Sequence, residues 1–215
     1  MAEFQELLIV GAGRLAVDVA DLVDDIDDLS VAGFVVNQPP FVRGSTLLGK
    51  PIYWIDELVE LGDSYKAICA IGSTRRLDII NQVEGYGIQF SNVIHPGARV
   101  SKRAVVGSGT IVSSGVQIAA ETKIGRHVIV NRGALIGPYT TIHDYAYVAP
   151  GANIAANVAI GSQTWVGLGA NVLEYITIGN QCIIGAGSLV TRDTPDRVKM
   201  VGVPATIVEK DISGL

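Results

Sequence analysis

The fold of this chain is decided by residues 94–190, whose central part, residues 124–148, reads IGRHVIVNRGALIGPYTTIHDYAYV. Every sixth residue of the longer stretch is isoleucine or valine, and the register runs through 17 positions without a break: Ile94, Val100, Val106, Val112, Ile118, Ile124, Val130, Ile136, Ile142, Val148, Ile154, Ile160, Val166, Val172, Ile178, Ile184 and Val190. The residue two before each of these is mostly small or β-branched, as at Ala134, Thr140 and Ala146.

A period of six excludes an α-helix and favours short strands that turn a corner at every repeat. Residues two apart in a strand share a face, so the aliphatic positions and the small residues before them should fill one interior. Three faces close a coil of about 18 residues, which gives roughly 5 stacked coils. Glycine often follows the aliphatic position, and we expect it to supply positive φ at the corners. The alternative is a β-sandwich with chance spacing. The pattern predicts a parallel β-helix over residues 91–195, followed by a tail over residues 196–215, in which 201–205 form a tight turn and 206–215 form a short helix or strand.

Residues 1–90 alternate predicted strands and helices, which is typical of a small parallel α/β domain. The predicted strands are Leu7–Val10, Val31–Val36 and Tyr65–Ile71; the predicted helices follow Gly13 and cover 55–61 and 75–83; residues 37–51 are expected to be a loop. The chain therefore has the pattern of an α/β domain with a Rossmann-like arrangement, joined near residue 90 to the β-helix.

A glycine-rich turn, Gly11-Ala12-Gly13-Arg14, separates the first strand from the first helix. Such a turn lets the backbone approach a phosphate at a helix N-terminus. A full dinucleotide site would also need an acidic residue at the end of the second strand, and Asn37 stands there instead. The candidate substrate-binding residues for a nucleotide-linked sugar are Gly11, Ala12, Gly13, Arg14, Asn37 and Arg76. The alternative is a tight turn that binds nothing.

Composition narrows the class of function. The net charge of −5 and the pI near 5.1 argue against nucleic acid or an anionic membrane as the main partner. No run of 18 apolar residues is present, so no membrane insertion is expected. Cys69 and Cys182 fall at strand positions and are interpreted as reduced core thiols, which favours a cytoplasmic location.

Several motifs, in order and spacing, resemble the bacterial sugar acetyltransferases that include UDP-amino-sugar N-acetyltransferases and sialic acid O-acetyltransferases. The matching motifs are Gly11-Ala12-Gly13 with Val17–Asp21, Gly33-Phe34, Ala70-Ile71-Gly72, Val93-Ile94-His95-Pro96, Val130-Asn131, Ala149-Pro150-Gly151-Ala152, Gly185-Ala186-Gly187 and Gly202-Val203-Pro204-Ala205. The resemblance implies a left-handed β-helix, a homotrimer and an acetyl-CoA cosubstrate between neighbouring β-helices. It implies transfer of an acyl group to the amino or hydroxyl group of a nucleotide-linked sugar or a similar metabolite.

The catalytic motif of that family, N-T-x-x-x-I-x-H-[DE], aligns with residues 131–139. Asn131 is retained as a catalytic candidate, but Pro138 stands at the position of the histidine base and Tyr139 at that of the acid. The position of a second histidine, which helps to hold acetyl-CoA, is Tyr147. The other residues that the resemblance assigns to acetyl-CoA are Gly167, Leu168, Gly169, Ala186 and Gly187.

Because Pro138 cannot accept a proton, His143, followed by Asp144, is the hypothesised replacement base. A second route needs no base, since an unprotonated amine can react by positioning alone. The alternative function is a catalytically impaired trimeric homologue that binds a ligand or a partner. Tyr145, Tyr147 and Trp165 are candidates for the subunit contact.

A zinc site is not expected. The three histidines, His95, His127 and His143, are 32 and 16 residues apart, and neither interval is a whole number of 18-residue coils.

Overall fold

The computed structural model describes residues 5–61 and 64–215. Its N-terminal part contains the strands β1 (Gln5–Val10), β2 (Leu29–Val36), β3 (Thr46–Leu47), β4 (Lys50–Trp54) and β5 (Lys66–Cys69), the helices α1 (Arg14–Asp24), α2 (Leu58–Leu61) and α3 (Leu77–Gly85), and a 3-10 turn at Ile55–Glu57. The strands form one sheet in the order β3-β4-β2-β1-β5. All neighbours pair in parallel except β3 and β4. The α/β class is therefore as expected, and the Rossmann-like assignment stays a prediction.

The sequence analysis missed strand β4, which it assigned partly to a loop. Pro51 has no backbone N–H and argues against a central strand. In the structure the parallel ladder with β2 begins only at Ile52, opposite Phe34, while Pro51 pairs with Thr46 of the short antiparallel β3. Pro51 therefore lies outside the parallel ladder, so its lack of a backbone N–H removes no hydrogen bond from that ladder.

Residues 93–190 form 17 two-residue strands that stack into three parallel sheets. Sheet I contains β6 (Val93–Ile94), β9 (Ile111–Val112), β12 (Ile129–Val130), β15 (Tyr147–Val148), β18 (Trp165–Val166) and β21 (Ile183–Ile184). Sheet II contains β7 (Arg99–Val100), β10 (Gln117–Ile118), β13 (Leu135–Ile136), β16 (Asn153–Ile154), β19 (Asn171–Val172) and β22 (Leu189–Val190). Sheet III contains β8 (Val105–Val106), β11 (Lys123–Ile124), β14 (Thr141–Ile142), β17 (Ala159–Ile160) and β20 (Thr177–Ile178).

Each strand pairs with the strand 18 residues further on, as Val93 with Ile111 and Val130 with Val148. The parallel β-helix predicted from the six-residue period is therefore confirmed, and its three sheets fit the left-handed form.

The 17 isoleucine and valine residues of the six-residue register form an aliphatic spine, which fills the interior as expected. From Val112 to Val190 all 14 spine positions are at most 3% exposed, and only Ile94, Val100 and Val106 at the open first coil are partly buried. The threonines two residues before the spine are also buried, and their hydroxyls donate to carbonyl oxygens 15 residues further on, as Thr110 to Gly125 at 2.9 Å and Thr164 to Gly179 at 2.7 Å. Buried hydroxyls are thus paired, as a packed interior requires.

The expected reason for the glycines after the spine was wrong. Positive φ occurs three residues after the spine instead, at every sixth residue from Gly109 to Gly187, with values between +54° and +70°. The glycines directly after the spine are needed because the backbone of the next coil leaves no room for a Cβ atom. A Cβ added to Gly161 would lie 2.5 Å from the carbonyl carbon of Gly179.

The tail forms an antiparallel hairpin of β23 (Val198–Gly202) and β24 (Ala205–Lys210). Strand β23 extends sheet I by pairing with β21, so the strand alternative for the tail is confirmed. The last residues then return to the N-terminal sheet, where the main-chain oxygen of Leu215 accepts a hydrogen bond from the backbone N–H of Thr74 at 2.8 Å.

The N-terminal part packs against the outer face of sheet I. Val93, Ile111, Ile129 and Tyr147 share one hydrophobic cluster with the residues of β1 and α1, and Trp165 packs on its border. The rings of Tyr147 and Trp165 stack at 3.9 Å.

Tyr145 packs against the hydrophobic cluster that contains α3. Of the three aromatic residues proposed for a subunit contact, Tyr147 is therefore covered by its own chain, and Tyr145 and Trp165 are partly covered by it. The sequence placed them correctly on the outer face, but it could not show which surface covers that face.

We expect the substitution Gly161→Ala to destabilise the protein more than Gly133→Ala. The first adds a methyl group against the backbone of the next coil, which costs about 1–3 kcal/mol for overpacking. The second adds it in open space at φ +67°, where the cost is about 1 kcal/mol of backbone strain. Urea unfolding of both variants measures the difference, and equal midpoints would contradict the close approach of the coils.

Candidate functional site

Three edges join the sheets of the β-helix, and one of them carries most of the site residues predicted within the β-helix. The glycine edge, from sheet I to sheet II, contains residues 113–116, 131–134, 149–152, 167–170 and 185–188. The Pro138 edge, from sheet II to sheet III, contains residues 119–122, 137–140, 155–158 and 173–176. The His143 edge, from sheet III to sheet I, contains residues 107–110, 125–128, 143–146, 161–164 and 179–182.

The glycine edge brings together Asn131 and all five small or apolar residues assigned to acetyl-CoA. Gly167, Leu168 and Gly169 lie one coil below Gly185, Ala186 and Gly187, and the backbone N–H of Gly187 donates to the carbonyl oxygen of Leu168 at 2.8 Å. The side chain of Leu168 is 57% exposed.

The edge is named for its left-handed positions, which are all glycine: Gly115, Gly133, Gly151, Gly169 and Gly187. The equivalent positions of the other two edges are mostly occupied by larger residues, such as Glu121, Tyr139 and Gln163. At four of these left-handed glycines, Gly133, Gly151, Gly169 and Gly187, an added Cβ would meet no atom within 4 Å. The edge is therefore smooth and open, so an extended chain could lie directly on the backbone.

Asn131 is held in one orientation. Its side-chain oxygen accepts a hydrogen bond from the backbone N–H of Arg132 at 2.8 Å, and its amide nitrogen donates to the hydroxyl of Tyr147 at 2.9 Å. Tyr147, the other residue predicted for acetyl-CoA, is 7% exposed and supports Asn131 from the next coil. The two predicted residues thus form one unit, although they are 16 residues apart in the sequence.

A cleft of about 230 Å³ separates helix α1 from the lower part of the glycine edge. Its walls are Leu15, Asp18, Val19, Asp21 and Leu22 of the helix and Ile111, Ser113, Ser114, Ile129, Asn131 and Arg132 of the β-helix. Sequence reasoning had singled out only Asn131 among the polar lining residues. Asp18 and Asp21 lie in the motif Val17–Asp21, but nothing assigned them or the others to a site, because the cleft exists only once α1 packs on sheet I.

The glycine-rich turn lies at the carboxyl ends of β1 and β2. Gly11 has φ +114°, and a Cβ there would meet the carbonyl oxygen of Ala70 at 3.1 Å. Gly13 precedes α1, no side chain caps the helix, and nothing lies within 4 Å of its Cβ position. Ala12, Arg14 and Asn37 lie at the same edge of the sheet, because β1 and β2 are parallel neighbours. This arrangement leaves the first N–H groups of α1 open to an anion.

Arg76, the sixth predicted substrate residue, does not join that group. It is 3% exposed, and its guanidinium donates to the carbonyl oxygens of Ser73 at 2.9 Å and Ala146 at 3.2 Å, and to that of His127. Burial lowers the pKa of Arg76. The residue therefore fastens the N-terminal part to the β-helix, and this placement argues against a direct contact with substrate.

His127 lies beside Arg76 in the seam, which is the contact between the N-terminal part and the β-helix. His127 is 1% exposed. Its ring stacks on Tyr145 at 5.5 Å and meets the edge of Phe90 at 4.7 Å, and neither ring nitrogen has a hydrogen-bond partner. Burial, followed by the positive charge of Arg126, lowers the pKa of His127 to about 4.

His143, the hypothesised base, is exposed on its own edge, at the opposite side of sheet I from Asn131. The neighbouring Asp144 is engaged elsewhere, because its carboxylate accepts a hydrogen bond from the backbone N–H of Arg126 at 2.8 Å. Within one chain the structure therefore separates His143 from Asn131, and its role as a base stays a prediction. Pro138 lies on the Pro138 edge beside Tyr139, which is 63% exposed.

No group of three His, Cys, Asp or Glu residues suited to a metal ion occurs within residues 5–61 and 64–215. In the same ranges, no helix has the length and apolar character needed to cross a membrane.

The chain was compared with known proteins. No family model matches it, and no curated protein does. Among solved structures, perosamine N-acetyltransferase from Caulobacter crescentus, in complex with CoA and GDP-perosamine, is 32% identical over 95% of this chain and 97% of its own, with a TM-score of 0.87.

The chain belongs to the sugar acetyltransferase family. Another similar structure is the acetyltransferase domain of PglB from Neisseria gonorrhoeae, which is 27% identical over 95% of this chain and 100% of its own, with a TM-score of 0.85. The same domain has been solved in complex with acetyl coenzyme A. WeeI from Acinetobacter baumannii shares the fold at 23% identity and a TM-score of 0.86, over 95% of this chain and 100% of its own.

We expect the seam to make stability depend on pH through His127. Because its pKa in the folded protein is below the ordinary value, the folded state binds fewer protons than the unfolded state. The contribution of neutral His127 to the free energy of unfolding is complete above about pH 6.5. As the pH falls towards 4, the free energy of unfolding decreases by about 3 kcal/mol at most.

Urea unfolding between pH 7.5 and 4 measures this slope. The variant His127→Phe keeps the ring but cannot titrate, so its unfolding free energy should fall less over the same interval. An unchanged slope would mean that His127 is not the group responsible.

Proposed function

We propose that this protein transfers the acetyl group of acetyl-CoA to the amino group of a nucleotide-linked sugar. The observation that carries the proposal is the arrangement of the glycine edge, where Asn131 and the residues predicted for acetyl-CoA lie in one column above a cleft. Membership of the sugar acetyltransferase family supports the same chemistry, since a relative was solved with CoA and GDP-perosamine.

The glycine edge suits the pantetheine arm of acetyl-CoA. Gly151, Gly169 and Gly187 leave a track without side chains, so the arm can lie against the backbone. The exposed side chain of Leu168 offers apolar contact beside that track. These residues would hold the cosubstrate, and the bound thioester supplies the activated acetyl group.

The glycine-rich turn is the proposed seat of the nucleotide diphosphate. The open N–H groups after Gly13 and the guanidinium of Arg14 would bind phosphate oxygens, and Asn37 would face the nucleoside. Arg76 is left out of this set because it is buried in the seam, where both terminal guanidinium nitrogens donate to backbone carbonyl oxygens.

The proposed reaction needs no histidine at the position of Pro138. The nitrogen of a neutral amine attacks the thioester carbonyl carbon, the carbon–sulfur bond breaks, and the proton lost by the nitrogen leaves on the thiol of CoA or in solvent. Placing the two reactants together can supply much of the rate. Turnover by this route should rise with pH until the acceptor amine is deprotonated.

A homotrimer is part of the proposal. Exposed apolar side chains border sheet II, which the N-terminal part leaves uncovered: Leu135, Tyr139, Leu168, Leu173 and Tyr175. Such a patch is typical of a surface that binds another protein, and cyclic symmetry would let three copies cover it. The glycine edge borders the same sheet, so a neighbouring chain would complete the groove for acetyl-CoA.

Release of CoA thiol tests the proposal. The protein is incubated with acetyl-CoA and a panel of GDP- and UDP-linked amino sugars, and we expect release above the uncatalysed rate with at least one of them. The variant Gly169→Asn places a side chain on the edge at a left-handed position that asparagine tolerates, so the KM for acetyl-CoA should rise at least about tenfold. Glu121→Asn, at the equivalent position of the Pro138 edge, is the matched control and should leave that KM unchanged.

CoA binding without turnover of any acceptor would favour the alternative, a trimeric homologue that binds ligands but has lost catalysis. The observation that favours it is Pro138 at the position of the base. No binding of CoA at all would remove the proposed function and leave only a homologue that binds another ligand or a partner.

We expect His143→Ala to keep kcat within about twofold of the wild-type value, because the side chain lies on a different edge from Asn131. A general base contributes about 10²–10⁴-fold, so a loss of that size would establish His143 as the base, acting from a neighbouring chain. The pH profile is recorded with both proteins, since removal of a base also removes its inflection.

A further inference from the structure

Two aspartates that line the cleft under helix α1 have no ion-pair partner among the described residues. Asp18 and Asp21 are three residues apart, which places both carboxylates on the face of α1 that lines the cleft. Neither forms an ion pair with any residue that the structure describes. Asp25, one turn further on, is paired with His95 at 2.9 Å, so the two cleft carboxylates are the unpaired part of this acidic face.

The opposite wall presents a polar group that is buried and unused. Ser113 is 7% exposed and lines the cleft, and its hydroxyl forms no hydrogen bond with the described residues. Asn131, one coil above at the same position of the edge, is by contrast fully paired. The side chain of Ser113 is therefore largely buried, while its hydroxyl stays available to a ligand in the cleft.

The size and position of the cleft restrict what it can bind. Its volume of about 230 Å³ is below the roughly 300–1,000 Å³ of pockets that enclose a whole drug-sized ligand, so it suits a single ring. At about 1.5 Å per helical residue, Asp18 and Asp21 lie roughly 6–11 Å along the helix from Arg14 at the proposed phosphate seat. A sugar joined to a diphosphate at the helix N-terminus would therefore reach the two carboxylates.

We propose that Asp18 and Asp21 select the acceptor by binding its amino group as an ammonium ion, with Ser113 hydrogen-bonded to the same sugar ring. The proposal rests on the proposed function for the nucleotide-linked sugar, and it adds the residues that distinguish an amino sugar from a neutral one. Two carboxylates and no cation on the helix wall favour a positively charged group and disfavour its acetylated product. Arg132, at the rim, lies on the opposite wall and is free to bind a phosphate oxygen.

Binding measurements test this without turnover. GDP-perosamine and UDP-glucosamine are titrated calorimetrically against the full-length protein, together with the N-acetylated counterpart of each. At least one amine should bind wild-type protein about tenfold or more tightly than its N-acetylated counterpart, as expected for charge-assisted hydrogen bonds. The double variant Asp18→Asn, Asp21→Asn should lose this difference, while the affinity for the N-acetylated compound stays within about twofold.

Asp24→Asn is the control for position, because it removes one carboxylate from the same helix outside this cleft. It should keep the wild-type preference. A double variant that keeps the preference, a control that loses it, or wild-type protein that binds no amine more tightly than its acetylated counterpart would overturn the proposal. Thiol release by the wild-type protein is recorded separately, so the proposed function can hold even when this site does not.

The pH profile gives a second readout. Carboxylates that hold the ammonium form raise the pH at which the bound amine deprotonates, so the rising limb of turnover should move to lower pH in the double variant and stay in place in Asp24→Asn. A limb that does not move contradicts a direct contact between the carboxylates and the amine.

Discussion

The structure depends on the backbone hydrogen bonds that join each coil of the β-helix to the next at an interval of 18 residues. These bonds are made by strands only two residues long, so they hold only if every coil has the same length. The branched spine keeps that length constant, because each insertion would turn an aliphatic side chain out of the interior. The result is a rigid prism on which residues far apart in sequence recur at fixed positions, as Asn131 and Gly167 do on one edge.

A second constraint is the close approach of successive coils, which determines where glycine is required. Directly after the spine, Gly161 and its equivalents leave room for the backbone of the next coil. Three residues after the spine, the backbone is left-handed at every corner, and side chains as large as Tyr175 are accepted there. Only the glycine edge keeps glycine at all these positions from Gly115 to Gly187, so its smoothness is a property of that edge and not of the fold. This difference is the reason that the edge is the proposed track for acetyl-CoA.

The N-terminal part turns the prism into a site by covering one of its sheets. Tyr147 and Ile129 anchor α1 over sheet I, and Arg76 and His127 close the other end of the contact around α3. The same packing creates the cleft beside Asn131 and places the glycine-rich turn at its upper end. Stability and function are thus coupled, since a loosened seam would also move the helix that carries Asp18 and Asp21.

The sequence by itself determined the β-helix, its 18-residue coil and its interior, because a six-residue period admits one regular solution for short strands. It also determined the glycine-rich turn, and the 18-residue coil fixes which residues share an edge, as Asn131 and Gly167 do. It did not determine strand β4, because Pro51 argues against a strand at that position. It also did not determine the burial of Tyr147 and Arg76, because the burial of each side chain depends on which surface the N-terminal part covers. The cleft was also beyond the sequence: Asp18 and Ser113 are 95 residues apart, no repeat relates them, and only the packing of α1 on sheet I brings them together.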